Sequence, residues 1–98
     1  MNIRIPGQRP AWCPHEQPEQ AHSRDGARMF ITWVRQCSPR TVPWGVDLID
    51  EDVYTGDGVE ATGTRVQVYD PERPLTLDEA EQFALHLIDA VKTAHKRH

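Results

Sequence analysis

The sequence has little of what most activities require. It holds two cysteines in 98 residues, too few for a disulfide framework; in a reducing compartment both are thiols or metal ligands rather than a bridge. No apolar run approaches the roughly 20 residues that a membrane-spanning helix needs. The opening "MNIRIPGQRP" has no apolar core of the secretory-signal kind, so a cytoplasmic protein is expected. An excess of positive charge is also missing, the net charge being −4. Six Arg face three acids in residues 1–40, whereas five basic side chains face twelve acidic ones in 41–98. An acidic body disfavours binding to a phosphate backbone, and no helix-turn-helix or other reader motif is legible. Neither nucleic acid nor a membrane is therefore an expected partner.

What is present divides the chain in two. Residues 1–26 contain four of the eight prolines and two of the six glycines, a composition that predicts a Pro-rich irregular leader. Residues 27–98 read as a single α+β domain. The segment 71–98 is helical, and "PLTLDEAEQFALHLIDAVKTAHKRH" carries a capping box in Thr76 and Glu79, with Leu75 placed as a hydrophobic staple. Ala80, Phe83, Ala84, Leu87, Ile88 and Val91 recur at three- and four-residue spacing and predict one apolar face turned to the core. Asp78, Glu79 and Glu81 at the start, with Lys92, His95, Lys96 and Arg97 at the end, complement the helix dipole.

Three strands precede the helix. "ARMFITWVRQ" (27–36) is rich in aromatic and β-branched residues, with Met29, Ile31 and Trp33 on one face and Phe30 and Val34 on the other. "VPWGVDLID" (42–50) puts Val42, Trp44, Val46 and Leu48 on one face. "TGDG" (55–58) is a turn, and a third strand runs over 59–69, best defined at "TRVQVYD". The expected architecture is a three-stranded antiparallel meander with one C-terminal helix packed on one face. An edge strand from the leader, at "NIRI" (2–5), would make it four-stranded.

Residues suited to chemistry cluster in "AWCPHEQPEQAH" (11–22). Zinc takes Cys thiolates and neutral His in a tetrahedron, and Cys13, His15 and His22, with Cys37 from the end of the first strand, form the candidate set. Their C-x-H-x6-H-x14-C spacing matches no standard finger. The expected state is therefore a leader without cofactor, zinc being the minor alternative and a structural staple if bound. A Cys13–His nucleophilic pair lacks an orienting acid and an oxyanion loop. The acids of "DLIDEDVYTGDG" (47–58) lack the D-x-D-x-D-G core of a calcium loop, and read as a charged strand end that blocks edge pairing or docks the leader. "GDGVEATG" has no GxxxxGK[ST] pattern to cradle phosphate. His86, His95 and His98 are read as surface histidines.

Trp12, Cys13, His22 and Ser23 in a Pro-rich leader, followed by strands and the helix "LTLDEAEQFALHLIDAV", resemble a small family of actinobacterial and actinophage proteins of unknown function. The resemblance spans Trp12 to Val91, and its helix motif, Leu-Thr-x-x-Glu-Ala, is met by Leu75, Thr76, Glu79 and Ala80. It implies the architecture and a role for the Cys and His, without a mechanism. Three Trp are many for a domain with two Phe and two Tyr. Trp44 is expected under the helix, while Trp12, Trp33, Met29 and Ile31 are expected at an interface with a protein partner, most simply a second copy. The function expected is a small non-enzymatic interaction or regulatory module of the phage-accessory kind. A zinc-stapled regulator associated with nucleic acid is the alternative.

Overall fold

The computed structural model describes residues 5–18, 20–23 and 28–96, with the backbone alone for 20–23. Five strands, β1 (Gln20–Ser23), β2 (Met29–Gln36), β3 (Gly45–Thr55), β4 (Gly58–Ala61) and β5 (Arg65–Tyr69), are followed by one helix, α1 (Leu77–His95). Every pairing is antiparallel, and the fold is α+β. The long strand β3 is the spine. All of β2 pairs with it, from Gln36 opposite Asp47 to Met29 opposite Tyr54. Its other edge is shared, β5 lying against Gly45–Ile49 and β4 against Asp52–Thr55.

The meander is thus as expected, with three differences of boundary. The second strand starts at Gly45 and continues to Thr55, five residues beyond the expected end, through the acids that read as a strand terminus. The third strand is interrupted: between Ala61 opposite Asp52 and Arg65 opposite Ile49, three residues face two, which is a β-bulge. Gly63 sits in it with φ +95°, a conformation that an L side chain rarely adopts. The leader does add an edge strand, at 20–23 rather than at 2–5. Of "NIRI", residues 2–4 lie outside the described residues, and Ile5 is exposed.

Register assigns the faces. Ile31, Trp33 and Arg35 of β2, Val46, Leu48, Asp50 and Asp52 of β3, and Val66 and Val68 of β5 share one side of the sheet. Both α1 and the leader cover this side. The opposite side is knit by polar contacts across three strands. There Thr32 Oγ1 donates to Glu51 Oε2 at 3.1 Å, and Arg65 reaches Glu51 Oε1 at 3.1 Å.

α1 begins as its capping box predicts. The Thr76 hydroxyl accepts from the Glu79 N–H at 3.1 Å, and the Glu79 carboxylate accepts from the Thr76 N–H at 2.9 Å. Its roll differs from expectation. Ala90 is fully buried, and Phe83, Leu87 and Ala94 pack beside it against Trp44, Val46 and Leu48. Ala80, Ala84, Ile88 and Val91 are exposed instead. The apolar arc of this helix is wider than one contact can cover. The side with Ala90 wins because a small residue lets the helix backbone approach the sheet and the Trp44–Phe83 stack, whose centroids are 5.3 Å apart, fills the remaining space.

Arg73 reinforces the cap with two bonds to Glu79, at 3.0 and 2.7 Å. This guanidinium, and then the Thr76 N–H, hold the Glu79 carboxyl down at about 2, against an ordinary 4.5. A depressed carboxylate stabilises the fold above its ordinary pKa, and that contribution is lost as pH falls from about 4.5 through about 2. Arg73→Ala should therefore lower the thermal midpoint at pH 7 and flatten its fall between pH 4.5 and 2. Melting curves followed by far-UV circular dichroism check this; parallel acid limbs in the two proteins would contradict it.

Candidate functional site

The chemistry-bearing residues fall into three places: a buried clasp under the leader, a cleft at one end of the sheet, and the outer face of α1. The clasp starts from β3. The alternation that buries Val46 and Leu48 also buries Asp50 and Asp52, each 1 % exposed. Buried carboxylates are costly unless N–H and O–H donors replace water, and here those donors come from distant segments. Asp50 accepts from the Gly63 N–H at 3.2 Å and from the Thr64 hydroxyl at 3.3 Å. Thr64 Oγ1 in turn accepts the Trp12 indole N–H at 2.9 Å. Asp52 Oδ2 accepts the Gly7 N–H at 3.1 Å and the Trp33 indole N–H at 3.3 Å. From the neighbouring strand Arg35 donates to the Trp12 carbonyl at 2.9 Å. The leader is thereby held across the sheet at Gly7 and Trp12.

Trp12 and Trp33, expected at an interface, are consequently core residues, 3 % and 5 % exposed. Their burial has a plain cause: the leader that reads as irregular folds back over them. Ile31 is half-buried, and Met29 is exposed at the end of β2. Trp44 lies under α1 as expected, and its indole N–H donates to His86 Nδ1 at 2.9 Å. His86 is expected at the surface. It is half-buried, and its acceptance at Nδ1 requires the proton on Nε2.

The metal candidates are spread out. Cys13 is buried, its thiol 3.7 Å from the Val34 carbonyl and 3.9 Å from that of His15. His15 is exposed. Cys37 is half-buried, donates to the Arg35 carbonyl at 3.5 Å, and its thiol is pushed above the usual range by desolvation. Backbone register sets His22 opposite Phe30. That is four residues along β2 from Val34, or about 13 Å at 3.3 Å per residue; its side chain lies outside the described residues, as does His98. Among the described residues no group of three or more His, Cys, Asp or Glu is placed to hold a metal ion. The Cys13 thiol donates its hydrogen bonds to carbonyl oxygens, which do not act as a general base.

An open cleft of about 890 Å³ lies where β2 and β3 are joined, lined among others by His15, Gln36, Arg40, Trp44 and Tyr69. Tyr69 forms one wall because its ring lies over Gly45, where a Cβ would come within 2.6 Å of it. Two of the polar groups here, Gln36 and Ser38, serve the fold. Ser38 Oγ accepts from the Val46 N–H, and Gln36 donates to the Ser38 carbonyl.

Thr64 and Gly63, which sequence reasoning passed over, carry much of this geometry together with Asp52, from the acidic stretch expected to block edge pairing or dock the leader. A signal for the first two was present. Apolar positions are odd at Val59 and Ala61 and even at Val66 and Val68, and such a change of parity within one strand calls for a one-residue bulge. No protein-family model, curated protein or solved structure matches the chain, and no helix among the described residues is long and apolar enough to cross a membrane.

Thr64→Val keeps the shape but takes the acceptor from Trp12 and a donor from Asp50. It should cost about 1–3 kcal/mol, because Thr64 is exposed but the Trp12 indole and the Asp50 carboxylate that lose their partner are buried. Urea unfolding followed by tryptophan emission reads this directly, and a loss below about 0.5 kcal/mol would show that the clasp contributes no more than an average surface contact. Both native thiols should also react with iodoacetamide more slowly than free cysteine at pH 8, Cys13 because it is buried and Cys37 because its pKa is raised. Faster labelling of either one would contradict the placement of its sulfur.

Proposed function

We propose that the chain is a small non-enzymatic protein-interaction module that engages its partner through the outer face of α1. The observation that carries this reading is an apolar stripe on a folded helix which the described residues leave exposed. Leu77, Leu85, Ile88 and Val91 are 90 %, 51 %, 49 % and 43 % exposed, and exposed Ala84 lies among them. Single exposed aliphatics are ordinary, but a contiguous stripe at three- and four-residue spacing is the form in which a helix meets another surface.

The other chemical features support the same reading. The buried carboxylates, all three indole N–H groups and both thiols have partners within the fold. Specificity would then rest on shape and on the charges flanking the stripe, acids at the start of α1 and bases at its end. The interaction surface proposed is accordingly the helix, in place of the sheet face and leader expected from the sequence.

The test is capture of partners from the native host by the wild-type chain and by a Leu85→Ser/Ile88→Asp variant. A defined protein should be retained by the first and lost from the second, while circular dichroism shows both folded. An identical captured set on the two baits would overturn the assignment of the surface.

A further inference from the structure

Within that stripe the spacing has a finer order. Leu77, Glu81, Ala84, Ile88, Val91 and His95 follow one another at intervals of four, three, four, three and four. This is the alternation of a coiled-coil seam, with Leu77, Ala84 and Val91 at d positions and Glu81, Ile88 and His95 at a. All six are exposed. The seam lies roughly 100° round the helix from the Phe83, Leu87, Ala90 and Ala94 face, so docking on the sheet leaves it free.

We propose that this seam pairs with the same seam of a second copy, the two helices running antiparallel about a two-fold axis. This rests on the reading of α1 as an interaction surface and names its partner. Two features favour a copy of the chain in this orientation. In an antiparallel pair a meets d of the partner, so centring the axis between Ala84 and Ile88 sets each Ile88 against the partner's Ala84, a large residue against a small one. The same axis sets Leu77 against the partner's His95 and Glu81 against the partner's Val91.

Charge supplies the second feature. The e positions are Asp78, Leu85 and Lys92, and in the antiparallel pair they face one another across the axis. Leu85 meets the partner's Leu85, and Asp78 meets the partner's Lys92 on both sides. A parallel pair would instead set e against g, so Lys92 would face the partner's Leu87 and Leu85 the partner's Ala80, and Asp78 would not meet Lys92. The seam is short, and free peptides of this length would be marginal helices. Here α1 is already folded on its sheet and capped by Thr76, Glu79 and Arg73, so pairing need not order the helix.

Sedimentation equilibrium of the full chain over a wide concentration range tests the pairing. The wild type should populate a reversible dimer of twice 11.2 kDa. Ile88→Glu should weaken it at least about tenfold, as should Asp78→Lys or Lys92→Asp alone, and the Asp78→Lys/Lys92→Asp double variant should recover most of the loss. Oxidation adds a geometric readout: Leu85→Cys should cross-link to a covalent dimer, and Gln82→Cys, off the seam, should not. A wild type that stays monomeric at sub-millimolar concentration overturns the inference. So does a dimer indifferent to Ile88→Glu, a charge swap without recovery, or equal cross-linking of the two cysteine variants. If the chain is monomeric while capture of another protein still depends on Leu85 and Ile88, the second copy falls and the interaction surface stands. Loss of that dependence removes both.

Discussion

Two carboxylates side by side in the interior of β3 set the terms for the rest of this fold. Asp50 and Asp52 occupy positions where alternation calls for apolar side chains, and they are as fully buried as Val46 and Leu48. Solvation lost there has to be replaced by donors that do not lie nearby in the chain. The donors are the Gly7 N–H, the Trp33 indole, the Gly63 N–H and the Thr64 hydroxyl, and bringing them together forces the leader across the sheet and a bulge into its third strand. The acidic stretch, expected to block edge pairing or to dock the leader, is thus the feature that makes residues 5–18 part of the domain.

The same constraint explains how so short a chain forms a core. A domain of this size cannot bury a large fraction of its surface, and three tryptophans do much of what a longer chain would leave to many aliphatics. Each removes about 150–250 Å² from water, roughly 4–6 kcal/mol before entropy is counted. Each also carries an indole N–H that would be costly to bury alone. Trp12 is met by Thr64, Trp33 by Asp52 and Trp44 by His86. The polar atoms of the interior are therefore the condition on which the aromatic core can be buried at all.

How much of this is legible from the residues depends on how local each determinant is. The capping box of α1 involves residues three apart, and Thr76 and Glu79 make both predicted bonds. The meander rests on alternation within strands and is equally visible, as is the place of Trp44 beneath the helix. The burial of Trp12 and Trp33 is not, because it depends on Gly7 meeting Asp52 across 45 positions and Trp12 meeting Thr64 across 52. A carboxylate in a sequence reads as a solvated group unless its donors are known, and these donors are backbone N–H groups and indoles that no local pattern announces. The roll of α1 escapes for another reason. Its apolar residues span two faces, and only the shape of the surface below, with Trp44 projecting and Ala90 allowing close approach, selects between them.

That selection has a consequence for function. A helix serving only as a lid on a two-layer fold needs one apolar stripe, and Phe83, Leu87, Ala90 and Ala94 provide it. Selection for solubility alone would then place polar residues at Leu77, Leu85, Ile88 and Val91, which face water. Helix propensity does not account for them, because Ile and Val are poorer helix formers than Glu or Lys at exposed sites. Packing among the described residues does not account for them either, since the sheet engages the other face. The proposed packing against something outside the chain would account for them. In the proposed encounter, with the indole N–H groups and thiols bonded within the fold, the free energy would come mainly from this apolar stripe, with Asp78 and Lys92 left to decide direction.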